Sequence, residues 1–307
     1  MQEGIVIAVR RTSQHDILKD IQTRNGNFVA GGVLVSNCHH MSAETFHPCL
    51  SALRSRHKFG ATATPYRTDK LDRIFLDHLG GISVVMADLS MIPTVYRHVL
   101  HTGVDLMGCE TRTGEPFLPE IINRLVADDR YNGFLVDLAF SRARAGYRVL
   151  VISDRADHCV YLTEQLCLRG MDANFIVGSY TDADGKKKAL SLKKREARYG
   201  HQIIVATPGC MMEGIDIPTL EVVQFVTPFS AKGRVHQGAG RALRKLMGKK
   251  NPIVDDIVQE DHKMLRYMGA KRLRYYRQFG WPVVTLRPTI AGAAPVPYEN
   301  DPALYGL

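Results

Sequence analysis

With 307 residues, 45% of them hydrophobic, the chain is long enough to bury one or two cores and too apolar to be a disordered protein. Forty Lys and Arg against 31 Asp and Glu leave a net charge of +9, which suits a polyanionic partner such as nucleic acid, although basic residues also serve solubility. Six scattered Cys without paired spacing argue against a disulfide framework, and no apolar run approaches the ~20 residues of a membrane helix, so a soluble protein with no membrane partner is expected.

Residues 1–37 read as short β-like runs, Ile5 to Val9, Phe28 to Ala30 and Val33 to Val35, broken by Asn25-Gly26 and Gly31-Gly32. Such a piece is too small to hold a core alone. The stretch from Cys38 to about Met91 supplies only the last strands and helices of a doubly wound sheet, so something upstream is expected to be missing. Residues 93–119, rich in Gly, Thr and Pro, read as a linker or edge excursion. Beyond them come four apolar runs of strand length, Arg148 to Ser153, Ala173 to Val177, Gln202 to Ala206 and Glu221 to Val226. Between them lie Ala156 to Arg169 and Gly185 to Tyr199, both of helical length. The alternation predicts an α/β domain with a parallel sheet covered on both faces.

Several short patterns carry chemistry. Thr62 and Thr64, two apart at a strand end closed by Pro65, put both hydroxyls on one side. The run Gln202 to Ala206 leads through Thr207 into Glu213-Gly214-Ile215-Asp216-Ile217-Pro218, a loop with a Gly for close backbone approach and an acid beside it, at the end of a strand where α/β ligands bind. Gln237, Arg241 and Arg244 are spaced three or four apart, so on a helix they share a face. Guanidinium groups there suit the charge that builds on a transferring phosphoryl group. Asn37-Cys38 sets a carboxamide beside a thiol: the Asn side-chain nitrogen can close on its own main-chain carbonyl and cut the chain, and a Cys thiolate can accept an acyl group.

Taken in order, these residues resemble superfamily 2 helicases of the DExH type over most of residues 38–280. Cys38-His39-His40 is similar to the tail of an Asp-Glu-Cys-His-His motif II, Phe59 to Arg67 to motif III, Val149 to Arg155 to motif IV, Ala206 to Pro218 to motif V, and Gln237 to Arg244 to motif VI. The resemblance implies RecA-like domains with ATP and Mg2+ between them. It assigns Gly214, Asp216, Gln237, Arg241 and Arg244 to ATP, Thr62 and Thr64 to coupling, and His39 to the same relay. Arg155 and Thr207 would meet DNA or RNA. So would the cation–aromatic cluster around Lys271, Arg272 and Arg274, whose bland alternative is a solvated terminal helix with Tyr packed on the core. Gly238 stands where motif VI often has an Arg. No G-x-x-x-x-G-K-[ST] occurs, and Ser36-Asn37 precede Cys38 where Asp-Glu is expected, so the chain alone is expected not to hydrolyse ATP.

Residues 1–37, with Asp20, the Asn27-Phe28-Val29-Ala30 and Val33-Leu34-Val35 core and Ser36-Asn37 before Cys38, resemble the C-terminal fragment of a split intein. That resemblance implies splicing roles for Asp20, Ser36, Asn37 and Cys38, with Gly26 and Ser36 replacing the His residues many inteins carry. Its implied partner is an N-terminal helicase half, ending in Asp-Glu and fused to an intein N fragment, in a bacterial or phage-infected cytoplasm. The expected division is 1–37 intein fragment, 38–95 remnant of a first RecA-like domain, 96–119 linker, 120–285 second RecA-like domain and 286–307 tail. Three rival readings stay open: a nucleic-acid-binding module without ATPase activity, gripping phosphates through Lys186 to Lys188, Lys193 to Arg195 and Lys271 to Arg277; a metal site built from Cys38, His39, His40, His47 and Cys49; and a degenerate gene fragment with no function.

Overall fold

The structure, a computed structural model, describes residues 27–30, 33–36, 73, 76–77, 91–181, 184–212, 217–244, 246, 248–288 and 290. The chain divides into two compact units, Met1–Asp88 and Leu89–Leu307. In the first, the two β-like runs flanking Gly31-Gly32 are strands, β1 (Asn27–Ala30) and β2 (Val33–Ser36), which pair antiparallel with Asn27 opposite Ser36.

The second unit is built on a seven-stranded sheet. Its strands are β3 (Thr94–Leu100), β4 (Val149–Ile152), β5 (Ala173–Ile176), β8 (Ile203–Ala206), β9 (Val222–Phe225), β10 (Ile253–Gln259) and β11 (Val283–Leu286). They lie in the order β11-β3-β10-β9-β4-β8-β5, and every pairing is parallel. A separate hairpin joins β6 (Ser179–Thr181) to β7 (Lys187–Ala189).

Parallel strands need crossovers, and the helices supply them: α1 (Leu118–Val126), α2 (Asp129–Arg144), α3 (Ala156–Leu168), the short α4 (Leu192–Glu196) and α5 (Pro208–Met212), α6 (Lys232–Leu243) and α7 (Lys263–Gln278). The Asp128 carboxylate caps α2 by accepting from the Tyr131 amide at 2.9 Å, and Gly146 and Gly170 leave α2 and α3 at φ 78° and 76°. Alternation along each strand feeds both faces. Val149, Val151, Ile203 and Val205 pack with Leu135 and Ala139 of α2 and Leu162 and Leu166 of α3. Leu150, Ile152, Ile204, Val223 and Phe225 pack on the other side with Val235 and Ala239 of α6 and Tyr276 of α7. Each fully buried aliphatic side chain contributes roughly 1.5–3 kcal/mol, so this two-faced core holds the sheet together.

Two expectations need correction. The start of the 96–119 segment is not linker, because residues 96–100 belong to β3, an interior strand hydrogen-bonded to β10 on one side and β11 on the other. Its Arg97 and His98 are buried against acids of β10: His98 Nε2 lies 3.0 Å from Asp255 Oδ1, and Arg97 Nε lies 4.0 Å from Asp256 Oδ2. Arg142 of α2 closes on Asp255 with two bonds of 3.0 and 2.7 Å, and Gln224 Nε2 adds a third at 3.0 Å. Burial pushes the Asp255 carboxyl up, but the hydrogen bonds and charges of His98 and Arg142 outweigh it and hold the group below the usual carboxylate range. The second correction is Gly185 to Tyr199, which is the second arm of the hairpin followed by one helical turn and a half, not a single helix.

Candidate functional site

In a parallel sheet the carboxyl ends of the strands share one edge, and ligands of α/β proteins bind there. Backbone bonds align that edge: Ser153 N donates to Ala206 O at 3.1 Å, Val226 N to Ile152 O at 3.2 Å and Thr207 N to Ile176 O at 3.3 Å. Arg155 and Thr207 therefore stand on the same edge, both half-buried.

The turn after β4 is held from beneath by a buried chain of hydrogen bonds. Ser153 Oγ lies 2.8 Å from His158 Nδ1, and His158 Nε2 lies 2.9 Å from Asn132 Oδ1, while Asn132 Nδ2 donates to Val126 O at 2.9 Å. Since the Asn132 amide spends its nitrogen on a carbonyl, its oxygen faces the imidazole, so His158 Nε2 carries the proton and Nδ1 accepts from the Ser153 hydroxyl. Ser153 Oγ then accepts from the Arg155 amide at 3.3 Å. Burial pushes the His158 imidazole down to about 3, which keeps it neutral. A Ser, a His and an amide in series resemble a hydrolytic triad, but Ser153 is 0% exposed and no substrate reaches it. The network is a bracket for the turn. Arg155 points outward from it, donating through Nε to Asn123 Oδ1 and through Nη2 to Pro119 O, both at 2.8 Å.

Asp154, between Ser153 and Arg155, binds the opposite way. Thr227 Oγ1 donates to Asp154 Oδ2 at 2.7 Å and accepts from the Asp154 amide at 3.1 Å. Arg234 Nη1 reaches Asp154 Oδ1 and Oδ2 at 2.9 and 3.0 Å, with its guanidinium 4.3 Å above the Phe229 ring. Burial lowers the Arg234 guanidinium against the opposing pull of Asp154. One end of α6 is thereby tied to the motif IV turn. At its other end Arg244 caps the helix and is exposed, and Lys249 Nζ donates to both Arg244 O and Pro218 O at 3.0 Å. Burial pushes the Lys249 ammonium down to about 8, with Glu221 opposing and the Arg244 charge adding to the fall. Thus α6 bridges the motif IV turn and the end of the motif V segment. Sequence reading missed Asp154, His158, Asn132, Arg234 and Lys249. The one available signal was Arg234, seven residues, or two helical turns, before Arg241.

Gln237 and Arg241 lie four apart on the α6 backbone, as the spacing predicted. The departure at Gly238 has a packing cause: an added Cβ would stand 2.8 and 2.9 Å from the Phe225 ring, so α6 meets β9 at a position with no room for a side chain. On α7, Lys271 Nζ sits 4.6 Å from the centroid of the exposed Tyr267 ring, and Arg274 is exposed. Arg272 is not part of that surface. It is 1% exposed, with Nε on Asp256 Oδ1 and Nη1 on Phe229 O at 2.6 Å and Nη2 on Ile257 O at 3.0 Å. It is withdrawn as a nucleic-acid contact. Of the remaining predicted residues, Ser36 ends β2, whereas Asp20, Asn37, Cys38, His39, Thr62, Thr64, Gly214 and Asp216 lie outside the described residues, as do the candidate metal ligands. Among the described residues no helix is long and apolar enough to cross a membrane.

A fully parallel sheet covered on both faces, with α6 packed against it, is the RecA-like α/β fold. The comparisons agree. The chain is 28% identical over 278 residues to the protein named "Probable helicase D10" of Escherichia phage T5, covering 89% of this chain and 59% of the phage protein. It is 26% identical over 253 residues to a protein of Acanthamoeba polyphaga mimivirus named as an ATP-dependent RNA helicase, L396, covering 81% and 47% respectively. The chain thus contains a helicase C-terminal region homologous to viral superfamily 2 helicases, and it spans about half the length of these relatives. Among solved structures, Dbp5 of S. cerevisiae bound to RNA and ADP BeF3 has the same fold, with a TM-score of 0.54 at 11% identity over 84% of this chain and 60% of that one. A fragment named as an HsdR subunit of a type I restriction enzyme from Vibrio vulnificus YJ016 matches at 0.58 and 16% identity, over 86% and 50%. No protein-family profile matches the sequence.

Proposed function

We propose that this chain is the C-terminal half of an ATP-driven superfamily 2 helicase, delivered behind a split-intein C fragment and completed by trans-splicing to an N-terminal partner. The observation that carries the helicase half is α6, which Arg234 ties to Asp154 of the motif IV turn at one end, while at the other Lys249, beyond the helix, bridges its cap carbonyl Arg244 O to Pro218 O of the motif V segment. A helix fixed at both ends moves as one piece, so a change at a nucleotide phosphate near Arg241 and Arg244 would be transmitted to the nucleic-acid edge at Arg155 and Thr207. ATP and Mg2+ would be held in part by groups the partner brings, because the chain has no phosphate loop and no Asp-Glu before Cys38.

The intein reading rests on the run from Asn27 to Cys38, in which β2 ends one residue before Asn37. In it, the Cys38 thiolate attacks the carbonyl that joins the partner's last residue to the intein N fragment, taking the acyl group as a thioester and expelling that fragment. Asn37 Nδ2 then attacks its own carbonyl, releasing a 37-residue succinimide peptide. The freed Cys38 amine captures the acyl group, and Asp-Glu-Cys-His-His is rebuilt. The test is to mix the purified chain with a phosphate-loop half that ends in Asp-Glu and an intein N fragment, followed by mass spectrometry and nucleic-acid-stimulated ATPase assay. A ligated product with turnover is expected, blocked at peptide release by Asn37→Ala and at ligation by Cys38→Ala. Normal ligation by both variants refutes the splicing, and turnover by the chain alone refutes the incomplete motor.

A further inference from the structure

The twenty residues 179–198 hold seven Lys or Arg against three acids, so this short stretch supplies four of the chain's nine net positive charges. They form the β6–β7 hairpin and α4, and no core requires the hairpin's second arm: all three residues of β7 are exposed, as is Lys186 before them. The arm adds no apolar burial, yet it sets Lys187 and Lys188, with Lys186 directly before them, at the surface. The foot of the hairpin is nevertheless fixed. Leu190 is buried, its amide donating to Gly178 O at 3.0 Å and its carbonyl accepting from Arg195 Nε at 3.0 Å. Tyr180 packs edge-on against Phe175 at 4.9 Å, and Arg198 covers the same ring at 4.3 Å while donating to Phe175 O at 2.7 Å.

Placement matters as much as charge. The hairpin leaves the sheet two residues after Ile176 closes β5, and Ile176 O accepts from the Thr207 amide. The lysine arm therefore extends the same carboxyl edge on which Thr207 and Arg155 stand. We infer that the β6–β7 hairpin is a phosphate-backbone grip, in which Lys186, Lys187 and Lys188 hold a nucleic-acid strand that runs along this edge. A strand carrying successive cations on alternate faces fits a repeating anion, and it selects charge spacing rather than base sequence. The inference rests on the nucleic-acid reading above and adds to it an element outside the helicase motifs.

The experiment is fluorescence anisotropy of a labelled oligothymidylate with the full 307-residue chain across a salt series. Replacing Lys186, Lys187 and Lys188 together by Gln should weaken binding at least tenfold at low salt. It should also flatten the log–log salt slope by about 2, since each phosphate contact to a single strand contributes about 0.7. Replacing the same three by Arg should keep binding within about twofold of the original, as should Arg144→Glu, an exposed cation at the opposite edge of the sheet. The inference is overturned if the Gln variant binds as the parent does, if Arg144→Glu loses as much, or if the Arg variant falls with the Gln variant. A Gln variant impaired only toward polyglutamate would point to an acidic protein and equally overturn it. Failure of the parent chain to bind any oligonucleotide would remove the nucleic-acid reading itself, a result distinct from the others.

Discussion

Arg272 and Arg274 are two residues apart on α7, yet the structure gives them opposite consequences. Arg272→Met keeps the length of the side chain and removes its charge, stranding the Asp256 carboxylate, which is 0% exposed. Breaking a buried pair from one side costs about 3–5 kcal/mol. The lower end applies, because Arg97 remains 4.0 Å away to share the charge, while Phe229 O and Ile257 O each lose a donor. A loss of about 3 kcal/mol, with a urea slope of about 3 kcal/mol per molar for a domain of this size, moves the midpoint down by about 1 M. The single tryptophan reports on this unit directly, since Trp281 packs on Phe279 and Tyr276 at the end of the same helix. Urea titration followed by Trp281 emission should show that shift for Arg272→Met and almost none for Arg274→Ala, which should instead weaken oligonucleotide binding. Adding Asp256→Leu to Arg272→Met should recover only part of the loss, because it removes the stranded carboxylate but also takes from the buried Arg97 the acid 4.0 Å away. An unshifted midpoint with weakened binding in Arg272→Met would refute the buried-pair account and return Arg272 to the surface.

The His158 bracket predicts a pH dependence. Its folded value is depressed to about 3, below the unfolded 6.5, so its contribution is fully present above 6.5 and is lost as the pH falls toward 3. The parent should lose on the order of 1 kcal/mol per pH unit more steeply than His158→Gln between pH 6 and 4, and parallel curves would refute the buried neutral imidazole. At Gly238 an alanine gains about 1 kcal/mol of helix propensity but overpacks Phe225, whose neighbour Phe229 at 4.9 Å leaves it little room, so a net loss of about 1–2 kcal/mol is expected in thermal denaturation. Gly240→Ala meets nothing within 4 Å and should stabilise the domain; equal effects at the two positions would show that packing against β9 is not what selects Gly238.

The strands legible in the sequence are those whose apolar runs are unbroken: β4, β5, β8 and β9 all appeared within two residues of their observed limits. Of the sheet's strands β3, β10 and β11 escaped, and the first two hid for a shared reason. Arg97 and His98 interrupt one and Asp255 and Asp256 interrupt the other, so each reads as surface until the two are placed side by side and their charges cancel. Arg272 was misread for the same cause, since a cation with a buried partner is indistinguishable in sequence from one in water. The hairpin was mistaken for helix because Lys, Ala and Leu favour helices locally, whereas Gly185 at φ 75° turns the chain. At the site, spacing placed Gln237 and Arg241 on one helix, but the residues that fasten that helix, Asp154, Arg234 and Lys249, come from segments brought together only by the fold.

The position of β3 also sets the order of events during synthesis. It is the first strand of its sheet to leave the ribosome, and both neighbours, β10 and β11, are among the last: His98 waits for Asp255, 157 residues later in the chain. Until then a nascent chain carries β3 unpaired along both sides, with Val95, Val99 and Leu100 in water and Arg97 and His98 lacking the acids of β10. Long-range parallel pairing of this kind is slow, and a truncated product ending before residue 253 would have β3 without a berth and be prone to aggregate. The sheet of the second unit is therefore expected to complete itself only after β10, α7 and β11 have been made, which ties its quality to the last elements of the sheet to be synthesised.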